Sequence, residues 1–244
     1  MHQENLKYKA NDMVMDGFLM YDPSNSKKRP AVIVAHAWYG QDDFAREKAR
    51  ELAELGYVAF AADLYGNRKE AQSDEEAVSL MGPLFLDRKL LRQRIVAAYD
   101  TVKKCPLVDP ARIGAIGFCF GGLTVIELLR SGVDIRGVVS FHGVLGDTLG
   151  EFKAQLEPPA KHIPGALLIL HGHDDPLVSA QDIAQIQTEF TQAQVDWQMN
   201  IYGHTSHAFT NPLMHDANRG LVYNSKISQR AWWSMRHFFE EFFK

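Results

Sequence analysis

Ile113-Gly114-Ala115-Ile116-Gly117-Phe118-Cys119-Phe120-Gly121-Gly122 is the stretch on which the fold turns. Ile113–Phe118 is a continuous apolar run, as expected of a strand buried on both faces. A helical pattern, Gly121–Leu129, follows at once. Gly-x-Cys-x-Gly at such a strand-to-helix turn is the nucleophile-elbow pattern, with Cys where Ser usually stands. The turn is strained, so Gly117 and Gly121 are needed to let strand and helix approach closely. Cys119 would then stand above the sheet edge at a helix N-terminus, where the dipole and free amides favour a thiolate. The plain alternative is a cysteine acting as a small buried hydrophobe.

Working outward, apolar β-branched runs recur at Ala31–Ala35, Tyr57–Ala62, Gly137–Phe141 and Ala166–Leu170, with a more mixed one at Val195–Ile201. Between them lie helical patterns at Asp43–Leu55, Leu84–Lys103, Ser179–Ala193 and Ser225–Phe243. Alternation of this kind implies an α/β fold: a mainly parallel central sheet with helices on both faces. At the N-terminus, Met13 and Met15 stand before Asp16-Gly17, and Phe18 and Met20 stand after it. Asp-Gly between such runs reads as a hairpin turn. Val144–Pro164 lacks periodicity and reads as a loop or short cap near the site. With no repeat or linker, residues 1–244 read as one domain.

An elbow needs a base and a group that orients it. Asp175 and His207 each follow a later strand, and their order after Cys119 is the order this architecture requires. Residues at the carboxyl ends of parallel strands gather at one sheet edge. Asp174 competes with Asp175, which precedes Pro176 and so stays in a non-helical turn. His204 competes with His207 as base and is otherwise read as a residue lining the site mouth. An oxyanion hole needs two N–H donors. The amide of Phe120 is one, and that of Ala37 or Trp38, after the strand Ala31–Ala35, is the other. Trp38, Tyr39 and Phe120 are expected to line an apolar pocket.

Gly-Phe-Cys-Phe-Gly-Gly, His-Gly-x-x-Asp-Pro-x-Val, His-Ala-Phe, Ala62-Asp63-Leu64-Tyr65 and Trp38-Tyr39-Gly40 together resemble the dienelactone hydrolase family, from about residue 12 to the end. The resemblance implies an α/β-hydrolase fold and a carboxylic ester hydrolase with a Cys-His-Asp triad at Cys119, His207 and Asp175. It also brings out two departures. Ala37 stands where the family commonly has a Glu that helps switch on the Cys, which implies another activation, such as a standing Cys119–His207 ion pair. Asn211 stands where the type enzyme has an Arg that holds the substrate carboxylate, so the expected substrate is a small ester or lactone other than dienelactone. His36, Tyr39 and His204 are the remaining substrate-binding candidates. A thioesterase or small-peptide hydrolase is the alternative, and a binding or redox-sensing relative with an oxidisable Cys119 is the third reading.

Composition bounds the partners. Net charge is −4, with no dense Lys/Arg run, which argues against nucleic acid or an anionic membrane. No signal peptide or membrane-length run is visible. The two cysteines, Cys105 and Cys119, read as free thiols of a cytoplasmic protein, against a bridge between them. Ten histidines raise the question of a metal at His171, His173 and His204 beside Asp174. No HExxH or Cys-x-x-Cys motif supports it, so no metal or cofactor is expected. The aromatic C-terminal stretch with Trp232, Trp233, Phe238, Phe239, Phe242 and Phe243 reads as a core-packing helix, with a homodimer face as the alternative.

Overall fold

The computed structural model describes residues 1–244. In chain order the elements are β1 (His2–Ala10), β2 (Met13–Tyr21), β3 (Arg29–Ala35), α1 (Asp43–Glu54), β4 (Val58–Ala62), α2 (Asp74–Leu86), α3 (Arg88–Lys103), β5 (Val108–Phe118), α4 (Phe120–Arg130) and β6 (Gly137–Phe141). They continue with β7 (Thr148–Leu149), β8 (Phe152–Lys153), β9 (Ala166–Gly172), α5 (Ala180–Gln192), β10 (Trp197–Tyr202), β11 (His215–Asp216), β12 (Leu221–Val222) and α6 (Ser225–Phe242). Eight strands form one sheet in the order β1-β2-β4-β3-β5-β6-β9-β10. β1 and β2 run antiparallel, β2 meets β4 antiparallel, and all pairs from β4 to β10 are parallel.

Strand alternation splits the core into two layers. Ala31, Ile33 and Ala35 of β3 face a layer built with α2, α3, α4 and α5. Val32 and Val34 face a second layer built with α1 and α6. The sheet is thus covered on both faces, as the sequence pattern implies. Phe239 and Phe238 of α6 lie where a Cβ on Gly114 or Gly137 would stand, 2.5 and 2.6 Å from it. The C-terminal aromatics therefore pack into the core through the two central strands. Trp233 is the exception, at 54% exposure.

Three expectations are corrected. Asp16-Gly17 is no turn: it lies inside β2, and the hairpin turns at Asn11-Asp12, where Asn11 takes a positive φ of 53°. Gly17 is there because the Phe60 ring covers it, its Cζ 2.1 Å from a would-be Cβ. Asp16 gives its N–H to Asp63 Oδ2 at 3.0 Å. The pattern Leu84–Lys103 is two helices, α2 and α3, broken at Asp87. That residue is extended (φ −108°, ψ 92°), and its carboxylate caps α3 through the Leu90 amide. Val144–Pro164 carries a small β7–β8 hairpin.

Registers bring the strand ends level. Ala35 pairs with Gly117, Phe118 with Phe141, Phe141 with Leu170, and Gly172 with Tyr202. The loops after β3, β5, β6, β9 and β10 therefore leave from one edge. No helix is long and apolar enough to cross a membrane.

Candidate active site

Cys119 has φ 57° and ψ −116°, a region costly for any residue with a side chain. The crossing behind it explains the glycines. A Cβ on Gly117 would lie 1.9 Å from the Gly121 carbonyl oxygen, and one on Gly121 would lie 2.1 Å from that of Ala35. Both obstacles are backbone and cannot swing away. The Cys119 amide donates to the Phe141 carbonyl at 3.1 Å, tying the turn to β6. Both cysteines are free thiols.

His207 Nδ1–H donates to Asp175 Oδ2 at 2.7 Å, with the two side chains 1% and 0% exposed. The other Asp175 oxygen accepts the Leu177 amide at 2.9 Å. His207 Nε2 is buried and has no hydrogen-bond partner. Burial pushes the His207 imidazole down, but the charge of Cys119 and the bond to Asp175 lift it to about 10. His207 is also held by its backbone, between Gly220 and Val222. The competing residues lie elsewhere. Asp174 is exposed and bonds His173 at 2.9 Å. His204 is exposed on the β10 turn with φ 54°.

The amides of Ala37, Trp38 and Phe120 donate to no acceptor in the chain. Phe120 opens α4, where helix geometry leaves the amide without an intrahelical partner. His36 fixes the opposing loop. It is 1% exposed, its Nδ1–H donates to Ala37 O at 2.6 Å, and its Nε2 accepts the Leu64 amide at 3.2 Å. Both ring nitrogens are used, so His36 holds the loop instead of presenting itself to a substrate; burial keeps it neutral. Tyr65 joins the same wall. Its ring stacks on Phe120 at 6.4 Å and its hydroxyl donates to Trp38 O at 2.7 Å. Burial and the charge of Cys119 push its phenol up.

Around Tyr39, the rim holds Asp74 and Arg219, which the sequence did not single out. Tyr39 donates its hydroxyl to Asp74 Oδ1. Arg219 bonds Asp74 Oδ2 at 2.6 Å and sits over the Trp38 ring at 5.7 Å. His142, after β6, packs on His207. Its only sequence signal is its place at the end of the strand Gly137–Phe141, as Cys119 is at the end of β5. A groove of about 500 Å³ between the β7–β8 hairpin and α5 borders the Asp175 turn through Pro176 and Leu177, and Cys119 is not in its wall. Nowhere do three or more His, Cys, Asp or Glu side chains gather as a metal site.

The sequence model of the Dienelactone hydrolase family matches residues 15–243. Protein usf of Aquifex pyrophilus is 28% identical over 218 residues, covering 87% of this chain and 88% of its own. A Bradyrhizobium protein named as a probable 2-oxo-3-(5-oxofuran-2-ylidene)propanoate lactonase is 27% identical over 213 residues, covering 86% and 83%. The crystal structure of a dienelactone hydrolase-like promiscuous phosphotriesterase from metagenomic libraries superposes with a TM-score of 0.91 and 34% identity, covering 100% of this chain and 99% of the other.

Proposed function

This chain belongs to the dienelactone hydrolase family and is a carboxylic ester hydrolase of that type, and on that premise we propose that it cleaves small esters or lactones through a Cys119–His207–Asp175 triad and a thiol acyl-enzyme. The observation that carries the reading is the buried 2.7 Å bond from His207 Nδ1 to Asp175, which leaves the other ring nitrogen unpartnered and available to Cys119. Residues 1–244 act in this reading as one domain.

The steps follow from roles. Cys119 Sγ passes its proton to His207 Nε2, and Asp175 steadies the imidazolium. Sulfur attacks the substrate carbonyl carbon. The oxyanion takes hydrogen bonds from Phe120 N–H and from Ala37 or Trp38 N–H, donors that nothing in the chain uses. His207 returns the proton to the leaving oxygen as the C–O bond breaks, leaving a thioester. It then takes a proton from water, hydroxide adds to the thioester, and Cys119 departs. The charge of Cys119 and the bond to Asp175 raise His207, which suits it to take the Cys119 proton with no Glu at Ala37. Trp38 and Tyr39 line the mouth, and His36 supports the oxyanion loop.

The test is turnover of short-chain 4-nitrophenyl esters, lactones including dienelactone, and a phosphotriester, by wild type and Cys119→Ala. The phosphotriester is included because the structural relative at 34% identity is named for that activity. Wild-type turnover lost in Cys119→Ala supports the triad. Equal activity in both removes Cys119 from the chemistry and favours a binding or redox role for the thiol.

A further inference from the structure

His142 is built into the site at a cost. Its φ is +38°, a backbone region unfavourable for a side chain of this size. The amide holds that conformation by donating to Leu170 O at 2.8 Å. The ring is 2% exposed and stands between two others. It meets His207 edge-to-face at 5.1 Å and 67°, and Phe209 at 5.0 Å and 79°. Nε2 is pinned to Thr210 Oγ1 at 2.7 Å, while Nδ1 bonds nothing. Asparagine or glycine would hold the turn at lower cost, so the ring itself must be what the position keeps.

We propose that His142 is a positioning residue for His207: with Thr210 and Phe209 it forms the wall that stops the His207 ring from turning about its bond to Cβ. The inference rests on the triad reading. Asp175 holds His207 at one atom, Nδ1, and one hydrogen bond leaves the ring free to pivot about it. The edge-to-face contact from His142 removes that pivot and fixes the direction of Nε2 toward Cys119. The wall must also stay uncharged while His207 carries its proton. Burial and the charge of His207 hold the His142 imidazole well below its ordinary value, and burial also lowers His171 on β9. The titratable groups that bear on His142 are His207 and His171, with Asp175 acting through His207.

The experiment compares wild type, His142→Asn, His142→Phe and Thr210→Val by kcat, KM and the pH profile of kcat/KM on one 4-nitrophenyl ester. It adds the line width of the His207 Nδ1 proton in solution NMR. His142→Asn suits the positive φ but removes the ring. It should lose roughly 10- to 100-fold in kcat, the scale for a misplaced catalytic group, with KM changed less than about 2-fold. Its acid limb should shift, and the Nδ1 proton should broaden. His142→Phe restores the ring and should recover most of kcat. Thr210→Val, which keeps its shape, should lose about 3- to 10-fold and serves if His142→Asn does not fold. A folded His142→Asn with wild-type kcat, pH profile and line width would overturn the proposal, as would a His142→Phe no better than His142→Asn. If wild type hydrolyses no ester, the line width alone decides the positioning claim, and the triad reading fails separately.

Discussion

Asp175→Asn isolates one atom of the site. The side chain is fully buried. Its Oδ1 takes the Leu177 amide at 2.9 Å and its Oδ2 takes His207 Nδ1–H at 2.7 Å. In the variant the amide oxygen stays on Leu177, because only oxygen can accept there. The NH₂ group then faces His207 and forces Nδ1 to become the acceptor. The imidazole proton moves to Nε2, the nitrogen that must be empty to receive the proton of Cys119. A charge-assisted bond of about 1.5–3 kcal/mol is lost as well. Loss of that bond also lowers His207 toward its ordinary value. With the tautomer inverted, kcat should fall about 10³–10⁴-fold, the scale of the same exchange in serine proteases. Two assays report it: hydrolysis of a 4-nitrophenyl ester, and the rate of iodoacetamide alkylation of Cys119 against pH, which needs no knowledge of the substrate. Asp174→Asn is the control, since Asp174 is exposed and its side chain bonds only His173. The reasoning is refuted if Asp175→Asn keeps more than a tenth of wild-type activity, or if Asp174→Asn loses as much.

Other perturbations test other links. Gly117→Ala places a Cβ 1.9 Å from a backbone oxygen and should cost more than about 4 kcal/mol, a fall of at least about 8 °C in Tm for a chain of this size; a calorimetric Tm within 2 °C of wild type would contradict the packing account. His36→Leu leaves the Leu64 amide without its acceptor and frees the oxyanion loop, so a loss of about 1–3 kcal/mol is expected by urea unfolding, together with lower kcat; unchanged values of both would remove its structural role. His36, His142 and His171 all sit below the ordinary 6.5. Their contribution is intact above that pH and is lost as pH falls below it, because the unfolded chain then binds protons that the folded chain refuses. The slope is up to about 1.4 kcal/mol per pH unit for each group. His207, raised instead, gains stability as pH falls toward 6.5 and offsets them there, so urea midpoints should stay near level from pH 7.5 to 6.5 and fall from 6.5 to 5.5; no fall below 6.5 would contradict the burial of these rings.

The sequence made the site more legible than the frame around it. That Cys119, Asp175 and His207 leave from one sheet edge was legible, because Cys119 and Asp175 follow apolar runs typical of buried strands, His207 follows a more mixed edge strand, and parallel strands deliver their ends to one edge. The oxyanion loop was legible for the same reason. Asp16-Gly17 misled because a local turn signal competes with a long-range cause: Gly17 answers to Phe60, 43 positions away in the chain, and no local pattern carries that. Asp87 was hidden because an amphipathic pattern continues across the cap that interrupts it. His36 looked like a site residue because it adjoins the oxyanion loop; that its two nitrogens are taken by Ala37 and Leu64 depends on how two loops meet. His142 sits at a strand end like the others, but a lone histidine there carries no sign of the ring contact with His207.

The most direct test of the central claim is the mass of the protein quenched during turnover of a slowly deacylated ester. The account predicts an added acyl mass that maps by peptide digestion to Cys119 and is absent in Cys119→Ala. Steady turnover with no adduct, or an adduct on another residue, would contradict it.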